Sequence, residues 1–166
     1  MYGRCVTPKG ARAQLYERPF LDSCVYISWI MGEVIAIVDR GAIVQHIFTQ
    51  ATDKAFEIWI SGPVVAEVHK HRGKVKLGSA EDESLIAFFV KRPFFQWVVA
   101  DMHIGIHANR LCQAHNINPF DALHLACALR AKCDVFLTWD DDLCKVQIPD
   151  IRIEAPQIVG QTKMPI

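Results

Sequence analysis

The chain has 166 residues, of which 51% are hydrophobic and 22% charged, which excludes a disordered chain and suits one globular domain. Eighteen basic residues balance eighteen acidic ones, so the domain has no overall attraction for polyanions and any nucleic-acid site must be a local patch. Six cysteines, at 5, 24, 112, 127, 133 and 144, show no CxxC spacing. A chain that can bury roughly 70% of its unfolded surface needs no disulfide scaffold, so they read as mostly buried free thiols in a reducing compartment.

Residues 1–18 lack periodicity and read as a surface extension. They carry Arg4, Lys9, Arg12 and Arg18 but no apolar core, unlike a secretory leader. No apolar run approaches the ~18 residues of a membrane span, so the expectation is a soluble cytoplasmic protein. Phe20 and Leu21 form a short first strand ending near Asp22. A helix capped by Ser23 and stopped at Gly32 follows. Glu33 to Ala51 has apolar residues at 34, 35, 38, 42, 43 and 47, the spacing of one amphipathic helix. Phe56 to Ile60 is β-branched and aromatic, a second strand. Ser61, Gly62 and Pro63 open a helix to about Lys70, with Glu67 beside the apolar arc of Val64, Val65 and Val68.

His69 to Lys76, HKHRGKVK, has four Lys or Arg and no acid. It reads as a solvated loop, or as a phosphate-binding block if a chemical site lies beside it. A helix over Glu81 to Val90, a strand over Phe94 to Val99 and a helix over Met102 to His115 come next. Asn118 then caps a helix with Pro119 at its first position and Asp121 in its first turn. Ala122, Leu125, Ala126 and Leu129 form that helix's apolar face. Val135 to Leu137 is a short buried strand, closed by Thr138 and Trp139 and followed by Asp140, Asp141 and Asp142. Ile151 to Ile153 forms an edge strand. The domain therefore spans 19–155, with 156–166 as a tail.

Strands and helices alternate, which predicts a doubly wound α/β domain with a mainly parallel sheet. In such sheets ligands bind beyond the C-terminal strand ends. Asp22 and Asp140 share that edge, and Asp121 and Glu67 lie on helices that can face it. Each acid alone has a plainer reading. Asn118 and Asp121 have capping-box spacing, and the triple Asp suits a turn. Together they call for a cation, because two charges at ~4 Å repel by about 4 kcal/mol at an effective dielectric near 20. Oxygen ligands favour Mg2+ or Mn2+ over Zn2+. His69 with His71, and Cys112 with His115, lack the second pair that zinc needs.

In FLDSCVYI, ISGPVVAEV, PFDALHLACAL and DVFLTWDDDL, in this order, the chain from about Phe20 to Glu154 resembles PIN-domain nucleases, close to the VapC-type toxins of toxin–antitoxin pairs. The resemblance implies a three-layer α/β/α fold with about five parallel strands. It implies Asp22, Glu67, Asp121 and Asp140 as the catalytic, metal-binding acids, with Asp142 as a helper. Thr138 matches the family's strand-end hydroxyl. With Lys70, Arg72, Lys74 and Lys76 it makes up the substrate-binding set. Where the family often has Asn, two residues past the first Asp, this chain has Cys24. The resemblance further implies Mg2+ or Mn2+ as cofactor, single-stranded RNA as substrate, a homodimer and a small antitoxin as partner.

Other classes fit these residues less well. A non-catalytic PIN-like module that binds RNA or protein usually lacks one or more of the four acids; all are present here. An aspartyl phosphatase needs a second Asp two residues after the first, where Cys24 stands. A mononucleotide binder wants a Gly-rich loop after the first strand. Cys24 has no histidine at a spacing that implies a nucleophilic pair.

Overall fold

The computed structural model describes residues 16–71 and 78–158. In chain order the elements are β1 (Pro19–Leu21), α1 (Ser23–Met31), β2 (Val34–Ile35), β3 (Val38–Asp39), α2 (Arg40–Thr52), β4 (Ile58–Ser61), α3 (Gly62–His71) and α4 (Ala80–Lys91). They continue as β5 (Phe95–Val98), α5 (Met102–His115), α6 (Pro119–Arg130), β6 (Val135–Leu137), a 3-10 turn (Leu143–Lys145) and β7 (Arg152–Glu154).

Five strands form one parallel sheet in the order β5-β4-β1-β6-β7. The expected three-layer α/β/α fold is borne out. The chain starts in the middle, builds outward through β4 to β5, then crosses to β6 and β7. The connections change direction between β1 and β6, which is where an open sheet leaves a crevice at its C-terminal edge. Leu21 pairs with Leu137 there. Asp22 and Thr138, one residue further on, are therefore neighbours across the seam.

The two central strands are short and buried throughout: Pro19–Leu21 and Val135–Leu137 have no exposed residue. On one face α5 and α6 pack together, with α6 lying across β4 and β5. The other face is an aromatic cluster. Tyr26 and Trp29 of α1, Phe48 of α2, Phe88 and Phe89 of α4 and Phe95 of β5 stack or meet edge to face at centroid distances of 4.8–6.3 Å.

Several expectations are corrected. Residues 33–51 are not one helix. Val34–Ile35 and Val38–Asp39 form an antiparallel hairpin, and α2 begins only at Arg40. Asp39 accepts from the Ala42 backbone N–H, and this cap sets the helix start. The cap of α1 is Asp22, which accepts from Ser23 N–H, rather than Ser23 itself. Gly32 does end α1, in the left-handed conformation at φ 59° that favours glycine. Tyr16, placed by sequence in the extension, is fully buried. It meets Phe56 edge to face, and its hydroxyl accepts from Gln157 N–H at 3.0 Å. The cysteines at 24, 112, 127, 133 and 144 are free thiols.

Candidate active site

Asp22 is the centre of the crevice. Its backbone continues the β1–β6 ladder, with its N–H donating to Leu137 O, and its side chain caps α1. Oδ1 accepts from Ser23 N–H at 2.7 Å and lies 3.0 Å from His124 Nδ1. Oδ2 accepts from the Thr138 hydroxyl at 2.8 Å and from the Cys24 thiol at 3.2 Å. Four donors thus meet the roughly four lone-pair sites of an ionised carboxylate. Asp22 is only 4% exposed. Burial pushes its carboxyl up, but the hydrogen bond and charge of His124, with the bonds from Thr138 and Cys24, outweigh burial and hold it below its ordinary value.

Thr138 is fully buried. Its hydroxyl donates to Asp22 and accepts from Asp140 N–H at 3.1 Å, so it fixes the first acid and aims the loop that carries another. Cys24 takes the place on α1 where the family often has Asn. Its sulfur donates to Asp22 and accepts from Trp139 N–H. Burial, then the charge of Asp22, push the thiol well above its ordinary value, so it stays protonated and is not a nucleophile.

His124 is the residue that sequence reasoning missed. It lies on α6 between Asp121 and Leu125 and is fully buried. Nδ1 faces Asp22. Nε2 lies 3.6 Å from Glu67 Oε2, beyond hydrogen-bond length, and has no hydrogen-bond partner. The available signal was its spacing of three from Asp121, which places both on one helix face.

Glu67 is held at the site by α3, whose Val64 and Val68 are buried in the core; its own side chain is 23% exposed. Asp121 sits in the first turn of α6, where Asn118 supplies the cap through Phe120 N–H. Burial, then the charge of Asp22, push its carboxyl up to about 6; Asp140 and Glu67 also raise it, while His124 lowers it. That pattern is the electrostatic mark of acids brought together. Asp140 is more exposed. Its Oδ1 accepts from the N–H groups of Asp142 and Leu143, forming the turn beyond β6.

The Asp142 carboxylate pairs with Lys145 at 2.7 Å, and its side chain is 91% exposed. Lys70 is the last but one residue of α3, while Arg72, Lys74 and Lys76 lie outside the described residues.

Asp22, Glu67 and His124 each offer a ligand atom within 4.8 Å of the others, a candidate cation site. The donor chemistry fits a divalent ion. The Asp121 carboxyl raised by its acidic neighbours and a buried ring nitrogen without a partner are both satisfied by a positive charge. Among the described residues no helix is long and apolar enough to cross a membrane.

A family model, the PIN domain, matches residues 20–149. No curated protein matches the chain in sequence. Among solved structures the chain is similar to the VapBC2 complex of Rickettsia felis bound to a promoter DNA fragment, at 17% identity and a TM-score of 0.60, covering 83% of this chain and 98% of that one. It is similar to a Klebsiella pneumoniae toxin–antitoxin complex at 17% identity and 0.57, covering 84% and 98%. It is also similar to the Mycobacterium tuberculosis VapC20, a sarcin–ricin loop cleaving toxin, at 14% and 0.57, covering 75% and 91%. At these identities the likeness is one of fold.

Proposed function

The chain belongs to the PIN-domain family, and from that premise we propose that it is a metal-dependent endoribonuclease that hydrolyses phosphodiester bonds in single-stranded RNA. The observation that carries this reading is Asp121, whose carboxyl is pushed up to about 6 by burial and by the charges of Asp22, Asp140 and Glu67. Asp121 feels acids from three other parts of the chain at the crevice where an open sheet binds ligands. Asp22, Glu67, Asp121 and Asp140 form the acidic set for Mg2+ or Mn2+. When bound, such a cation supplies Lewis-acid polarisation of the phosphate and activation of water. Asp22, locked by four donors, fixes the geometry. Asp121, whose carboxyl the other acids raise, is relieved of that repulsion by the cation's charge. The basic run Lys70, Arg72, Lys74 and Lys76 begins within the helix that carries Glu67 and takes the RNA backbone.

The protein acts in the cytoplasm as the toxin of a type II toxin–antitoxin pair, as a homodimer restrained by a cognate antitoxin. The support is the fold shared with proteins solved as toxin–antitoxin complexes. The test is incubation of the purified protein with single-stranded RNA and Mg2+ or Mn2+, with and without EDTA. Cleavage that stops in chelator is expected. Undiminished cleavage in chelator overturns the metal mechanism.

A further inference from the structure

We infer that the groove beside the edge strand β5, lined by Trp59, Trp97, Arg130 and Lys132, is a second binding site for single-stranded RNA, which takes a stretch of the strand away from the point of cleavage. The inference rests on the nuclease reading above and adds a contact for its substrate outside the crevice.

Trp59 of β4 and Trp97 of β5 stand on adjacent strands and line one groove of about 460 Å3. Trp97 is 45% exposed. Such a ring offers a face on which any base can stack. Trp59 is half-buried, and the Arg18 guanidinium lies over its ring at 4.8 Å while donating to Ala131 O at 2.7 Å. The stack and the hydrogen bond hold one cation in the groove. Arg130, the last residue of α6, and Lys132 just beyond it add two more, both exposed. Among the described residues of the lining Asp101 is the one acid, and its carboxylate caps α5 through Ile104 N–H. In a chain of zero net charge this is a local basic patch interleaved with aromatic rings, the combination that holds single strands.

Lys132 carries an independent mark. Its backbone is left-handed, at φ 55°. Its N–H donates to Leu129 O and the Cys133 N–H to Ala128 O, which closes α6. Glycine or asparagine favours this helix-ending position, because a longer side chain is strained there. A lysine here gives up stability, and what it brings is a cation at the groove.

The helix α6 joins the two sites. Asp121 lies in its first turn at the crevice, and Arg130 ends it nine residues on, about 13 Å along the axis at 1.5 Å per residue. A strand reaches both only if it extends beyond the crevice, so a short oligomer occupies the crevice alone.

The test uses full-length protein with Mg2+ or Mn2+ and single-stranded RNAs of about 4 and about 16 nucleotides. Trp97→Ala is expected to raise KM for the longer RNA by ~10-fold with kcat unchanged, and to leave the shorter RNA unaffected. Binding of the longer RNA in EDTA, read by fluorescence anisotropy, is expected to weaken by a similar factor. Lys132→Gly is expected to weaken the longer RNA and to lower its salt slope by about 0.7. It is also expected to melt no earlier than the native chain, since the strain leaves with the charge. Unchanged affinity for the longer RNA in either variant, with cleavage intact, overturns the groove and leaves the nuclease reading standing. Equal weakening of both lengths overturns it too, because the variants then act on the crevice. If Trp97→Ala turns a dimer into a monomer by light scattering while RNA affinity holds, a second copy covers the groove and the inference is overturned. A native protein that neither cleaves nor binds either RNA removes both readings.

Discussion

The Thr138 hydroxyl donates to Asp22 Oδ2 at 2.8 Å, across the seam between the two central strands. The same oxygen accepts from Asp140 N–H, so one buried hydroxyl ties β1 to the loop after β6. Thr138→Val keeps the shape but leaves Asp22 short of a donor and Asp140 N–H short of an acceptor. A loss of about 1–3 kcal/mol in metal-free denaturant melts is expected, the cost of unpaired buried groups. Thr138→Ser restores the hydroxyl and is expected to recover most of it. If Thr138→Val loses nothing, the two hydrogen bonds do not hold the seam.

Asp121 sets a pH dependence whose sign follows from its shift. Its carboxyl is raised from 3.8 to about 6. Between those values the folded protein holds more protons than the unfolded chain, so this group's contribution to stability falls as pH rises through about 6. Asp22 acts in the opposite sense and in a lower window. Its folded value lies below 3.8, so its contribution is present above that value and is lost as pH falls further. Asp121→Asn is expected to flatten the upper slope and to stabilise the metal-free fold at neutral pH by about 1 kcal/mol, after discounting for solvent screening. The same variant is expected to shrink the thermal shift given by added Mn2+, since a ligand stabilises only through differential binding to the folded state. A less stable metal-free Asp121→Asn with its full Mn2+ shift removes Asp121 from the site.

Asp142 and Asp140 are two residues apart and are expected to differ. Asp142→Asn breaks an exposed pair with Lys145 and leaves cleavage and the metal-induced shift unchanged. Asp140→Asn removes one of the charges acting on Asp121, and a lowered apparent pKa there is expected, readable by carboxyl NMR. An unchanged Asp121 titration means that Asp140 points elsewhere in solution.

Neutralising two of Lys70, Arg72, Lys74 and Lys76 is expected to weaken RNA binding across sequences and to flatten the salt dependence by about one unit per lost phosphate contact. An unchanged slope makes this run a solvated loop.

Much of this was legible in the chain. The helix over Met102–His115 and the strand over Val135–Leu137 have the ends the sequence predicts, because caps and turn residues bracket each periodic run. The alternation of elements gave the parallel sheet, and the acids at strand ends and helix starts marked its functional edge. The hairpin before α2 was not legible, because Val34, Ile35 and Val38 fit a helical stripe as well as two strands, and only the Asp39 cap decides where the helix begins. His124 was hidden for another reason. It stands on the buried face of α6 among Leu125, Ala126 and Ala128, where pattern reading sees core. Its partners, Asp22 and Glu67, lie 102 and 57 residues away along the chain, and only the folded sheet edge brings them together.

The four bonds to Asp22 decide how an inactive form should be made for capturing an RNA or protein partner. Replacing Asp22 withdraws an acceptor from α1, α6 and the loop after β6 at once, so a silent Asp22 variant confounds lost chemistry with a loosened scaffold. Glu67 caps no helix and bridges no strands, and its described ion pair is the 3.6 Å approach to His124. Glu67→Gln is expected to silence the crevice with those bonds intact, and is the form in which a partner would meet the native surface.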